Sequence, residues 1–239
     1  MTNYERPKIF FGASGKLGKV FTSENLQFLT PTSKDVPIEN AKLVNEYLRD
    51  INPSLIIHAA AVVGLRESEA DPDKTYMVNV EGTSNIAKGA MQVGARLAYV
   101  SSVSVFDGRK GQYTETDIPC PAYYYGWTKL LGEQAVTMLK NHVIVRTDFF
   151  DPNNFKYKQA MSDHYCSKIP VRNLAEALKK IAESEYVGII NVGRKRESLL
   201  EILREYIPEI QGIKIEDSAM LFFPRDLSMD VNRYLQLFS

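Results

Sequence analysis

The sequence predicts a doubly wound, parallel α/β sheet with a small C-terminal subdomain, and three observations carry that reading. A short apolar run, Ile9 to Phe11, ends on the glycine turn GASGKLG and is followed by Leu17, Val20 and Phe21 at helical spacing. Val44, Tyr47, Leu48 and Ile51 then repeat at i, i+3, i+4 and i+7, and the next segment, SLIIHAAA, is a continuous apolar run such as a strand buried on both faces requires. The beat continues with a helix around 76–93, a strand at 97–100, a helix around 124–139 and a strand at 143–145. Strands alternating with helices imply a parallel sheet with right-handed crossovers.

From 151 to 168 the rhythm lapses, which divides the chain into a main domain, 1–150, and a remainder, 151–239, that completes the sheet and adds a reduced substrate-binding subdomain. In the remainder Leu174, Leu178 and Ile181 mark a helix and GIINV a strand. Ser198 with Glu201 forms a capping box that opens a helix through Tyr206.

Composition narrows the partner. The 239 residues carry 29 Lys plus Arg against 29 Asp plus Glu, so there is no basic excess for nucleic acid or an anionic membrane, and a small molecule is expected. Cys120 and Cys166 have no metal-ligand spacing and read as reduced thiols. MTNYERPK lacks an apolar run of signal-peptide length and no stretch of about 18 apolar residues occurs, so a cytoplasmic protein is expected.

Gly12, Gly15 and Gly18 have the GxxGxxG spacing between first strand and first helix. That arrangement suits a tight turn, a backbone close to a pyrophosphate, and a helix N-terminus that offers free N–H groups and a positive dipole end. A plain turn would use the same glycines; their position favours a dinucleotide. After the second strand, an acidic residue would take the ribose hydroxyls of NAD, but NLQFLTPTSKD offers Thr30, Thr32, Ser33 and Lys34. This favours NADP(H), with NAD(H) possible, and makes Ser33 and Lys34 the candidate 2′-phosphate contacts. Asp35 suits the adenine amino group, and equally an ordinary surface position before a proline turn.

YGWTK places Tyr125 and Lys129 four residues apart on one face of a helix. A neighbouring ammonium favours phenolate and is expected to lower the tyrosine pKa toward neutrality. Lys129 can also hold a nicotinamide ribose. Ser102, after LAYVSS, falls at the carboxyl end of a strand, where open α/β sheets bind ligands, and its hydroxyl can bond a substrate carbonyl while Tyr125 protonates the oxygen. Alone, YxxxK is common on surface helices; after the glycine turn and Ser102 it reads as catalytic.

With GASGKLG, INPSLIIHAAA, NVEGTSNIAKGA, YVSSVSVFDG, YTETDIPCPAYYYGWTKLLGE, VIVRT and PRDLSMD in view, the chain resembles the extended short-chain dehydrogenase/reductases. It is most similar to the dTDP-4-dehydrorhamnose reductase family, with some likeness to GDP-fucose synthase. The resemblance implies a Rossmann fold and a catalytic triad of Ser102, Tyr125 and Lys129. For the cofactor it implies contacts from Gly12, Gly15, Gly18 and Asp35, and Ser14, Lys16 and Leu17 of the first turn together with Ser33, Lys34 and Val36 complete the expected cofactor site. It adds Ala59, Ala60 and Ala61, Asn79 from the following helix, and Tyr125 and Lys129 themselves. Substrate contacts are implied for Val62, Ser102, Val103, Tyr125 and Arg225, the last on a substrate pyrophosphate or, alternatively, in a structural salt bridge.

Two departures shape the expectation. Sugar-nucleotide dehydratases carry Asp and Glu directly after the catalytic hydroxyl, where this chain has Val103 and Ser104, so reduction is favoured over elimination. The segment after VIVRT is short, DPNNFKYKQAMSDHYC, which leaves the sugar-nucleotide pocket open, rebuilt, or completed by another subunit. The implied function is an NADP(H)-dependent reductase of a nucleotide-activated 4-keto-deoxy sugar. The alternatives are a nucleotide-sugar epimerase and a non-catalytic NADP-binding regulatory subunit. The resemblance also implies a homodimer joined through the helices around 79–91 and 124–139, although Ala87, Ala90, Leu131 and Val136 would serve equally to face the sheet. His58 reads as a packed strand-end residue, Arg146 as a fold-stabilising ion pair, and Trp127 as a contact for a neighbouring helix or a partner subunit.

Overall fold

The computed structural model describes residues 6–218 and 224–239. Its sheet is made of β1 (Lys8–Phe11), β2 (Phe28–Leu29), β3 (Leu55–His58), β4 (Arg96–Val100), β5 (His142–Thr147) and β6 (Gly188–Val192). They lie in the order β2, β1, β3, β4, β5, β6, and every pair is parallel. The helices are α1 (Lys16–Glu24), α2 (Ala41–Ile51), α3 (Leu65–Ala70), α4 (Pro72–Tyr76), α5 (Thr83–Val93), α6 (Tyr124–Thr137), α7 (Val171–Ala182), α8 (Leu199–Arg204) and α9 (Asn232–Phe238). This is the doubly wound, Rossmann-type fold that the alternating pattern implies.

Strand side chains alternate between faces, and the sequence uses that alternation to build two cores. Phe10, Leu55, Ile57, Ala98, Val100, Val143 and Val145 enter one, with Leu17 and Phe21 of α1 and Leu174, Leu178 and Ile181 of α7. Ile9, Phe11, Ile56, Leu97, Tyr99 and Ile144 enter the other, with Val44 and Leu48 of α2, Ile86 and Ala90 of α5, and Val136 of α6. The direction in which successive strands are added reverses at β1, which has β2 on one side and β3 on the other. The carboxyl ends of β1, β3, β4 and β5 therefore open a crevice of the kind that holds ligands in such sheets.

Residues from 150 onward take part in two structures. α7 and β6 complete the sheet, while Phe150, Ala160, Cys166, Leu200, Ile202, Leu203 and Ile210 form a separate small core. Its strands are two or three residues long: Tyr165–Cys166 runs antiparallel to Glu197–Ser198, and Gln159–Met161 parallel to Gln211–Ile213. A fourth cluster, Val103, Val105, Phe106, Tyr113, Met229 and Val231, ties the loop after β4 to the C-terminal segment.

Three element readings change. The single helix expected over 76–93 is α4, a π-helical turn at Met77–Gly82, and α5. The capping box at Ser198 and Glu201 forms as expected, but α8 ends at Arg204 rather than Tyr206, in keeping with Pro208, which disfavours helix at the residue before it. The short strands between 149 and 166 were not expected. Among the described residues no helix is long and apolar enough to cross a membrane.

Candidate active site

The crevice begins at Gly12. Its φ is +102°, and a Cβ there would lie 2.6 Å from the Ala60 nitrogen and 2.7 Å from the Ala59 carbonyl carbon, so only glycine lets the first turn close on the end of β3. Gly15 N donates to Gly12 O at 3.1 Å, and Gly15 then opens α1 with no side chain capping the helix. An uncapped N-terminus behind a tight glycine turn fits a dinucleotide pyrophosphate. Ser14 and Lys16 lie within this turn and at the start of α1, Ala59 and Ala60 approach it from the end of β3, and Ala61 follows them in the chain. Leu17 is different, because its side chain is buried in the core and only its backbone belongs to the first turn.

Ser33 and Lys34 are exposed on the loop after β2. Asp35 is held inside that loop: its Oδ2 accepts from Thr32 N at 2.9 Å and from Thr32 Oγ1 at 2.7 Å. These two bonds, the side-chain one first, hold its carboxyl below the usual range and engage Oδ2. The Val36 side chain is a correction to the sequence reading. It is buried among Ile38, Val44 and Ile86, so it has only backbone to offer a cofactor.

Ser102 follows β4. Its Oγ accepts from Ser104 N at 3.1 Å, which fixes the turn Val103–Val105 and leaves the hydroxyl proton for a partner. The neighbouring phenol is that of Tyr125, near the start of α6: desolvation pushes its pKa up to about 12, opposed by Ser102 and with a smaller rise from Asp148. Asp148 stands just beyond β5 and is paired with Lys168 Nζ at 2.5 Å. Val103, expected beside the substrate, is instead turned into the cluster with Phe106 and Met229.

Lys129 is buried one turn along α6, with its Nζ 4.1 Å over the Tyr99 ring. Desolvation brings its pKa down to about 7, opposed by Glu133. The expectation that Lys129 lowers the Tyr125 pKa to near neutrality is therefore not met: burial penalises both charged forms, and Tyr125 is a protonated phenol at neutral pH. A proton donor is what the arrangement supplies.

Asn79, within the π-helical turn, joins the parts. Its Oδ1 accepts from Val62 N at 2.8 Å, and its Nδ2 donates to Val62 O and to Thr128 Oγ1, both at 3.0 Å. It thereby ties the loop after β3 to α6, and Val62 enters the site as backbone. Thr128 Oγ1 in turn donates to Tyr125 O at 2.8 Å. Arg225 is exposed, and its Nη1 lies 4.0 Å from Asp163 Oδ2.

Three residues near the site were not singled out in the sequence as part of it: Tyr99, Glu133 and Ser101. Glu133 accepts from Ser101 Oγ at 2.6 Å, from Arg146 Nε at 3.0 Å and from Arg146 Nη2 at 2.7 Å, all buried. Its spacing of four from Lys129 is the one signal that could have found it. His58 is buried with Nε2 2.9 Å from Thr83 Oγ1, and desolvation, then Lys129, brings its pKa down to about 3, so it is a neutral packed residue.

Residues 8–183 match the family model described as RmlD substrate binding domain. The chain belongs to the RmlD family. It is 32% identical over 210 residues to methionine adenosyltransferase 2 subunit beta of Rattus norvegicus, a match covering 74% of this chain and 62% of that protein. It is also 32% identical over 145 residues to a dTDP-4-dehydrorhamnose reductase of Aggregatibacter actinomycetemcomitans, covering 58% of this chain and 49% of that one. The chain thus spans less than two thirds of the length of either relative. Among solved RmlD-family structures, the dTDP-4-dehydrorhamnose reductase of Bacillus anthracis in complex with NADP superposes with a TM-score of 0.87 at 25% identity, covering 98% of this chain and 94% of that one. Most of the region after Asp151 therefore has a structural counterpart in that reductase.

Proposed function

We propose that the protein is an NADP(H)-dependent reductase of a nucleotide-activated 4-keto-deoxy sugar. The observation that carries this is the Tyr125 phenol, kept protonated by desolvation and set beside Ser102, with Lys129 one turn along the same helix. When bound, the nicotinamide supplies the hydride. Ser102 and Tyr125 bond the substrate carbonyl oxygen, and Tyr125 delivers the proton from its Oη as the alkoxide develops. Lys129 holds the nicotinamide ribose. The first turn and the N-terminus of α1 hold the pyrophosphate, and Ser33 and Lys34 the 2′-phosphate. Val103 and Ser104 supply no acid or base for eliminating water. The test is NADPH oxidation across dTDP-, GDP-, UDP- and CDP-linked 4-keto sugars, one of which should be turned over.

A second reading, a non-catalytic NADP-binding subunit, is favoured by the likeness to methionine adenosyltransferase 2 subunit beta over 74% of the chain. It predicts NADP(H) binding with no sugar reduced and a co-purifying enzyme partner. An epimerase would instead retain its nicotinamide cofactor and show no net turnover of it.

Cofactor preference is expected to follow Lys34. Calorimetry should show NADP(H) bound more tightly than NAD(H), and Lys34→Glu should reverse the order by placing a carboxylate against the 2′-phosphate. A clear NAD(H) preference in the unmodified protein would refute the roles given to Ser33 and Lys34.

We also infer a homodimer through α5 and α6, in which Leu131 takes part but Ala87, Ala90 and Val136 do not. Ala87, Ala90 and Val136 face the sheet. Leu131 is 44% exposed and continues a stripe with Trp127 (49%), Met138 (73%) and, on α5, Met91 (53%). Large exposed apolar side chains on two helices that pack together suit an interaction site. Light scattering at micromolar concentration should give a dimeric mass, reduced to a monomer by Trp127→Glu with Leu131→Glu. A monomeric unmodified protein would overturn the assignment.

A further inference from the structure

Lys129 is among the most buried charged groups in the protein, and its ammonium lies over an aromatic face, with Nζ 4.1 Å from the centroid of the Tyr99 ring. Tyr99 itself is fully buried in β4, and its ring is flanked by His58 of β3, with centroids 5.4 Å apart. The ring is also fixed from the helix side. Gly132 of α6 approaches so closely that a Cβ there would lie 2.4 Å from the Tyr99 hydroxyl oxygen, so the absence of a side chain at Gly132 is what seats the ring beneath the helix that carries Lys129. The Tyr99 hydroxyl oxygen is buried and forms no hydrogen bond. A desolvated ammonium over a tyrosine face is held by the ring quadrupole, and the attraction acts only on the charged form.

We propose that Tyr99 is a positioning residue for Lys129, its ring face holding the ammonium in place and charged so that it is ready for the nicotinamide ribose. The inference rests on the reading of Lys129 as a cofactor contact. The other titratable or charged groups around Lys129 are Tyr125 and Glu133 on its own helix, His58 on β3, and Arg146 on β5, the last already bonded to Glu133. His58 stays neutral at the pH of interest, with its pKa near 3, and Tyr125 stays protonated, with its pKa near 12. Tyr99 and Glu133 are thus the two neighbours that favour the charged amine against the desolvation that brings it to about 7.

The experiment titrates the Lys129 side chain directly by NMR in the cofactor-free protein labelled with 13Cε-lysine, the signal being assigned by its loss in Lys129→Ala. NADP(H) affinity is measured over the same pH range. Tyr99→Phe keeps the aromatic face and should leave the Lys129 midpoint unchanged. Tyr99→Leu removes it and should lower the midpoint by about one pH unit, a roughly tenfold change in the ionisation constant. NADP(H) affinity should weaken with rising pH as the amine loses its proton, and in Tyr99→Leu this weakening should begin correspondingly earlier. An unchanged midpoint in Tyr99→Leu, or an equal shift in Tyr99→Phe, would overturn the proposal. If Lys129→Ala instead bound NADP(H) as tightly as the unmodified protein at every pH, the cofactor role of Lys129 would fall, and with it the purpose assigned to Tyr99, whatever the titration showed. Should Tyr99→Leu fail to fold, Gly132→Ala, which displaces the Tyr99 ring from the helix side, should shift the same midpoint downward; no shift there would overturn the proposal.

Discussion

Tyr125→Phe should lower reduction of the substrate by about a hundred- to ten-thousand-fold, the usual loss when a general acid is removed, while NADP(H) affinity stays nearly unchanged. The substitution keeps the ring that fills the start of α6 and removes only the transferable proton. Lys129→Ala should damage rate and affinity together, because Lys129 serves the cofactor, and Ser102→Ala should be intermediate, because it leaves the proton donor in place. The pH dependence separates these roles. With Tyr125 pushed up to about 12, the phenol remains a competent donor throughout the working range, so kcat/KM should fall as pH rises through the ionisation of Lys129 near 7. That midpoint is reported as an apparent value of the pair if the two groups prove coupled. Wild-type turnover by Tyr125→Phe would show that another group is the acid. A rate flat between pH 6 and 9 would separate catalysis from the charge of Lys129.

Much of this site was legible because its parts have local signatures. The glycine spacing between a strand and a helix, the YxxxK spacing on one helix face, and a serine at a strand end are each written in a few consecutive residues. The long strands and helices were legible for the same reason, since their periodicity repeats several times. What escaped lacks either property. Strands of two residues, such as Tyr165–Cys166, are too short to display an alternation, and their pairing with Glu197–Ser198 is set across more than 30 residues of chain. The π-helical turn at Met77–Gly82 has no local signature that separates it from an α-helical turn, and only the bonds of Asn79 to Val62 and Thr128 reveal what it positions. Val36 and Val103 were assigned to ligands through resemblance, whereas the packing of the surrounding loops turns both into cores. Tyr99 looked like one apolar residue in a strand, because a cation over a ring depends on which helix crosses that strand and at what height.

Glu133→Ala should be among the most damaging substitutions to stability, although Glu133 touches neither cofactor nor substrate in the proposed mechanism. Both it and Arg146 are almost wholly buried, at 1% and 2% exposure. Its carboxylate is the acceptor for two nitrogens of Arg146 and for Ser101, while the guanidinium also stacks over Phe106 with Cζ 5.1 Å from the ring centroid. Arg146 Nη1 already lacks a partner, so removing Glu133 leaves a buried guanidinium with no counter-charge. Breaking a buried pair from one side costs about 3–5 kcal/mol, which for a chain of this length lowers the melting temperature by roughly 6–20 °C. The cost comes from the orphaned charge rather than from the worth of the pair, and a double variant distinguishes the two. Glu133→Leu combined with Arg146→Met replaces both ions with apolar side chains and should recover most or all of the loss. The same variants separate folding from function. Losing the Glu133 charge also removes a group that favours the charged Lys129, so the double variant should fold yet bind NADP(H) with a pH midpoint lower than that of the unmodified protein. Thermal unfolding showing Glu133→Ala within about 1 kcal/mol of wild type would mean that Arg146 finds another partner or water, and the pair would lose its claim to hold the carboxyl ends of β4 and β5 against α6.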